Sequence, residues 1–208
     1  MSALDDAGLR TAHMVASVLL GYPDERMYEA RPLLSRSVEA LPFGEVRARL
    51  AAFLRHVAAT PRRELETHYV ATFDLKRRCC PYLTYYTYGD TRRRGAALLR
   101  FRHAVRAAGF DLSGEELPDH LAVVCELSAR GAAGPAMRLL REHRAGLAVL
   151  TRALREEGSP YADVVAAVQA TLPPARPWEQ EAALRLAAEG PPAEEVGLEP
   201  YAIAGGDR

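Results

Sequence analysis

Apolar residues recur along the chain at spacings of three and four, as in helices with one buried face, and no stretch alternates apolar and polar positions long enough for a half-buried strand. The pattern predicts an all-α protein. A first helix over 6–20 stops at Gly21 and Pro23, a glycine end followed by a residue that cannot continue the helix. A second runs over 24–40, and Pro42 separates it from a third over 44–59. Thr60 and Pro61 predict the next start, a hydroxyl cap ahead of a proline at the first helical position. Leu65, Tyr69 and Phe73 then recur every four residues, a stripe that should face the core or a groove.

The pattern fails from Cys79 to Asp90, where Pro81 and Gly89 bracket a tyrosine-rich run that reads as a loop. A long helix over 91–108 comes next. Another should start near Pro118, with Leu117, Leu121, Val124 and Cys125 on one face and Gly131 and Gly134 closing it. Pro135 opens a helix along which Leu140, His143, Leu147, Leu150 and Leu154 align, Ser159 and Pro160 cap another, and a short one lies around 178–188. Residues 190–208 are rich in proline, glycine and acid with little periodicity, and read as a disordered tail behind a single helical bundle over 1–189.

Composition narrows the class. At 208 residues, with 49% apolar and 26% charged residues, the chain can bury a core without disulfides or metal. Its 27 basic and 27 acidic residues cancel, so no global field draws it to nucleic acid or an anionic membrane. The start lacks the basic region and apolar run of a signal peptide, and no stretch reaches the roughly 20 apolar residues of a membrane helix, so a cytoplasmic protein is expected. Adjacent Cys79 and Cys80 with a distant Cys125 make no disulfide framework, which fits a reducing compartment and structural thiols.

Three features stand out as candidate chemistry. Arg92, Arg93 and Arg94 occupy the first turn of a predicted helix, where the dipole prefers acids; they are either a solvated turn paired with acids such as Asp90 or a patch for an acidic partner. Tyr82, Tyr85, Tyr86 and Tyr88 offer large amphipathic area, suited to a polypeptide-binding surface or to a core. In Glu116-Leu117-Pro118-Asp119-His120, Asp119 suits a helix cap, whereas His120 lies at the edge of the apolar face, where it can bond a ligand backbone or a neighbour. Glu64 with His68, and Glu116 with His120, are each four apart, but they do not complete the carboxylate and histidine set of a di-iron bundle. No phosphate loop, serine elbow or zinc-protease motif is present, and the N-terminal third has no compact basic helix-turn-helix.

Three strings in this order, Tyr69-Val70-Ala71-Thr72-Phe73-Asp74, then 82–95 from Tyr82 to Gly95, then Glu116-Leu117-Pro118-Asp119-His120-Leu121, resemble the NarJ family, the assembly chaperones of respiratory nitrate reductase within the TorD-like group. The likeness covers about residues 10 to 130. It implies an all-helical domain with no catalytic activity that binds the apo α subunit of nitrate reductase, including its N-terminus, assists insertion of the molybdenum cofactor and delays membrane docking. The cofactor belongs to the client, so the resemblance implies no cofactor or metal here, no nucleic-acid partner, membrane association only through the client, and a monomer or weak dimer. It implies a client groove lined by Leu65, Tyr69, Phe73 and Leu121, flanked by Arg92, Arg94, Asp119 and His120, with Tyr85, Tyr86, Asp90 and Leu117 nearby.

Overall fold

The computed structural model describes residues 4–110 and 116–192; the greater part of the expected tail lies outside the described residues. Helix α1, Asp6–Leu20, starts on the Asp5 carboxylate, which accepts from the Gly8 amide at 2.7 Å. Helix α2, Glu25–Glu39, is capped in the same way by Asp24 on the Met27 amide, 2.9 Å. Pro32 sits inside α2 without an amide to give the Tyr28 carbonyl, and that carbonyl accepts from Arg31 Nε instead, 3.0 Å. Beyond it lie helices α3, Glu45–Ala59, and α4, Arg62–Tyr69, and α4 runs into a π-helical turn, Val70–Asp74, closed by the Leu75 amide on the Val70 carbonyl at 3.2 Å.

After a 3₁₀ turn, Arg77–Cys79, come α5, Leu83–Tyr88, and α6, Arg92–Ala107. Helix α7, Leu121–Leu127, ends in a second π-type turn, Ser128–Ala132, broken by Gly131 at φ 115°, a left-handed conformation natural only to glycine. Helices α8, Ala133–Glu142, α9, Arg144–Glu156, α10, Tyr161–Ala170, and α11, Pro177–Glu189, complete the described chain. No strand forms among the described residues, so the all-α expectation holds. Among the described residues no helix is long and apolar enough to cross a membrane.

Several local expectations are corrected. The supposed loop 79–90 contains α5. The single helix expected from Pro135 is two, because His143 at φ −102° and ψ 18° breaks it. The hydroxyls of Thr60 and Ser159 do not cap the helices beside them: Thr60 meets His56 Nδ1 at 3.3 Å, and Ser159 meets His68 Nε2 at 2.8 Å.

Packing is organised around α10, which lies on α3, α9 and α1, while α1 also packs on α7 and α11 on α9. The core includes Leu19, Leu50, Phe53, Leu121, Leu147 and Val165. Cys125 is fully buried in it, and burial pushes its thiol up to about 12, so it packs as a small hydrophobe. Phe53, Tyr161, Phe73 and Tyr69 form a continuous aromatic column, with successive ring centroids 4.7, 4.9 and 4.9 Å apart.

His13, 0% exposed, ties three elements together: Nδ1 lies 2.7 Å from Ser128 Oγ and Nε2 2.9 Å from Thr171 Oγ1. Burial lowers its pKa from 6.5 to about 4, and burial does the same to His143. The unfolded chain therefore binds more protons than the folded one between those values. The stability that depends on neutral imidazoles is complete above pH 6.5 and is lost as pH falls to about 4. The urea midpoint should drop between about pH 7 and about pH 5, above most carboxylate titration, with a smaller slope in His13→Gln. A midpoint that is flat over that window would show that these rings are not held neutral by burial.

Candidate functional site

The second and third of the three strings meet backbone to backbone. The Leu83 amide donates to the Asp119 carbonyl and the Leu121 amide to the Pro81 carbonyl, both at 3.0 Å, making an antiparallel bridge between Tyr82 and His120. The caps then cross over. Asp119 Oδ2 accepts from the Thr84 amide at 3.1 Å and the Thr84 hydroxyl at 2.5 Å, so it caps α5, 35 positions back, and not the helix next to it in the chain. His120 takes the capping position expected of Asp119: its Nδ1 accepts from the Ala122 amide at 3.2 Å, and α7 starts at Leu121, three residues later than expected.

Arg94 backs this clip. Its Nε donates to Thr84 Oγ1 at 3.2 Å, Nη1 pairs with Asp90 at 3.2 Å, Nη2 lies 4.0 Å from Asp119, and its guanidinium carbon is 5.6 Å from the Tyr82 ring centroid. Tyr82 stands edge-on to His120, centroids 5.1 Å apart, and donates its hydroxyl to Glu116 at 2.8 Å.

The clip forms one wall of a cleft of about 300 Å³. Opposite lies the end of α1 with Ser17, Gly21 and Tyr22; the floor is Tyr69 at the end of α4 and Phe73 from the π turn; the rim carries Asp74, Glu116 and Glu126. The Tyr69 hydroxyl donates to the Leu20 carbonyl at 3.3 Å, satisfying an acceptor that the end of α1 leaves free. Burial raises the phenol pKa of Tyr69 and Tyr82 above the usual range; Asp74 and Glu116 add to the first, and the hydrogen bond to Glu116 adds to the second.

His120 is 4% exposed, and burial lowers its pKa despite the opposing charges of Glu116 and Asp119. With Nδ1 an acceptor, the neutral ring carries its proton on Nε2, which has no hydrogen-bond partner among the described residues. The cleft therefore offers aromatic faces, carboxylates and one N–H donor, a set suited to binding a polypeptide.

The residues singled out in the sequence divide into four groups. Tyr69, Phe73 and His120 line the cleft. Leu65, Leu121 and Asp119 are 0% exposed and present no surface: the two leucines belong to the core, and Asp119 is engaged by Thr84. Arg94 is a half-buried brace, Asp90 is exposed and also pairs with Arg77 Nη2 at 2.6 Å, Leu117 is half-buried, and Arg92 is exposed without being free of interactions.

Tyr85 and Tyr86 belong elsewhere, at a second cavity of about 370 Å³ between α5, α9 and α11. Tyr86 is 2% exposed, and its hydroxyl donates to the carbonyls of Arg78 and Cys80. Of the tyrosine cluster read as a possible binding surface, Tyr82 lines the cleft; sequence reasoning missed Tyr22, Asp74, Glu116 and Glu126 as lining residues. Asp74, Tyr82 and Glu116 stand within the three strings, but Tyr22 and Glu126 carry no local signal.

The family model described as nitrate reductase delta subunit matches residues 39–167. The chain is 40% identical over 153 residues to the nitrate reductase-like protein NarX of Mycobacterium tuberculosis, covering 74% of this chain and 23% of that protein. It therefore spans about a quarter of NarX. It is 29% identical over 156 residues to the probable nitrate reductase molybdenum cofactor assembly chaperone NarJ of Bacillus subtilis, covering 75% and 85% of the two chains. It is 28% identical over 152 residues to the nitrate reductase molybdenum cofactor assembly chaperone NarJ of Escherichia coli, covering 72% and 64%. The chain belongs to the nitrate reductase delta subunit family.

Proposed function

We propose that the chain is a chaperone for nitrate reductase assembly that catalyses no reaction itself. It binds the apo α subunit, including its N-terminal peptide, in the cleft between the end of α1 and the Tyr82–His120 bridge. While bound, it keeps the α subunit open to molybdenum cofactor insertion and delays membrane docking. The cofactor stays with the client, and the chaperone works in the cytoplasm as a monomer or weak dimer. The family membership and the names of the two NarJ relatives support the chaperone role.

The peptide reading rests on His120, 4% exposed, whose Nε2 has no partner among the described residues and lines the cleft together with Tyr69 and Phe73. An amphipathic segment can lay its apolar face on Tyr69 and Phe73 and give one main-chain carbonyl to that donor. Titration calorimetry with a synthetic peptide of roughly the first 15 residues of the α subunit should give saturable 1:1 heat. His120→Asn keeps an oxygen able to cap α7, while its shorter amide no longer carries a donor to the position of Nε2, so it should weaken binding by about tenfold with little change in melting temperature. An absence of heat with the unaltered chain would defeat the cleft assignment.

A further inference from the structure

The cleft has a charge asymmetry that peptide binding by apolar contact does not require. Asp74, Glu116 and Glu126 stand on its rim, and no lysine or arginine lines it among the described residues. Glu126 is paired with Arg130 at 2.9 Å, but Asp74 and Glu116 have no cationic partner within 4.0 Å among the described residues. Glu116 only accepts the Tyr82 hydroxyl, and Arg94, behind Tyr82, is engaged by Asp90 and Thr84. Beside these carboxylates lie the ring of Tyr22, 50% exposed, and the half-buried Tyr82.

His120, 4% exposed, lines the same cleft with an Nε2 proton that has no acceptor among the described residues. A carboxylate pair beside aromatic faces suits a cationic side chain, attracted by the charges and the ring quadrupoles together. The histidine suits a carbonyl on the same segment.

Resting on the reading that this cleft holds a client peptide, we propose that it selects that peptide by a cationic side chain, arginine or lysine, seated at Tyr22 and Tyr82 between the carboxylates of Asp74 and Glu116, while His120 Nε2 donates to a main-chain carbonyl of the same segment. Both carboxylates lie on the exposed rim, so they act as specificity groups and not as supports of the fold.

The test is a set of titrations of the full chain and of Asp74→Asn/Glu116→Gln, using the α-subunit peptide and a copy in which every arginine and lysine is glutamine. The unaltered pair should bind about tenfold or more tightly than either singly altered combination. The doubly altered combination should be no weaker than those two, so that the losses fail to add. Raising salt from about 0.05 M to about 0.5 M should weaken only the unaltered pair to a comparable degree. Peptide binding that is indifferent to the two carboxylates, to the glutamine copy and to salt would overturn cation selection while leaving the peptide site standing. An absence of heat with the unaltered pair would overturn both. Equal melting temperatures of chain and variant are the control that the fold is intact.

Discussion

Asp119→Ala is expected to lower the free energy of unfolding by about 3 kcal/mol. The carboxylate is 0% exposed, and its Oδ2 is the acceptor for both the amide and the hydroxyl of Thr84. Truncation leaves that amide buried with no partner, which costs about 1–3 kcal/mol, and removes a helix cap worth about 1 kcal/mol more. The ion pair adds little, because Arg94 lies at 4.0 Å and keeps Asp90. Asp119→Asn should be intermediate: its carbonyl oxygen can replace Oδ2, but its amide nitrogen then takes the place of Oδ1, which has no partner, and becomes an orphan donor. Urea unfolding that ranks the three chains in this order supports the crossed cap; an alanine variant within about 0.5 kcal/mol of the unaltered chain would refute it.

Replacing glycine with alanine should have opposite effects in two helices. In α6, a Cβ on Gly95 would meet nothing within 4 Å, and removing glycine from a helix interior should stabilise by up to about 1 kcal/mol. In α9, a Cβ on Gly146 would lie 2.7 Å from Tyr86 Cβ and 3.0 Å from two ring carbons. Tyr86 cannot slide aside, since its hydroxyl is tied to the carbonyls of Arg78 and Cys80, and the closest atom is next to its backbone. The two helices must part, at a cost of about 1–3 kcal/mol that outweighs the gain in helix propensity. Thermal melts should therefore show Gly95→Ala above the unaltered chain, Gly146→Ala below it and Gly146→Val lower still. Stabilisation by Gly146→Ala would mean that α5 and α9 are not in close contact.

Where local chemistry decides a helix, the sequence is enough. The limits of α1 can be read from Asp6 to Leu20 because an aspartate cap and a Gly21–Pro23 stop mark them. Helix α5 is not legible, because Thr84, Tyr85, Tyr86 and Thr87 are weak helix formers and their cap, Asp119, is supplied from far along the chain. The break at His143 is hidden for the opposite reason: apolar spacing runs through it from Leu140 to Leu147, and its buried ring packs 5.4 Å from Phe101 with Nδ1 3.1 Å from the Thr87 hydroxyl. At the site, the four-residue spacing of Leu65, Tyr69 and Phe73 identifies an apolar face but cannot tell which part of it stays uncovered. Only Tyr69 and Phe73 reach the cleft, and Leu65 does not. Tyr22 and Asp74 could not be foreseen as neighbours, since each stands at the end of its own helical segment and only tertiary packing joins them.

The π turn from Val70 to Asp74 closes over five residues where an α-helical turn closes over four. It behaves as an insertion that the fold has kept. Deleting one residue there would restore plain helix and swing the downstream chain by about 100°, carrying Phe73 and Asp74 off the floor and rim of the cleft. Chain length between Tyr69 and Leu75 should therefore tolerate less variation among relatives than the identity of the exposed residues within it.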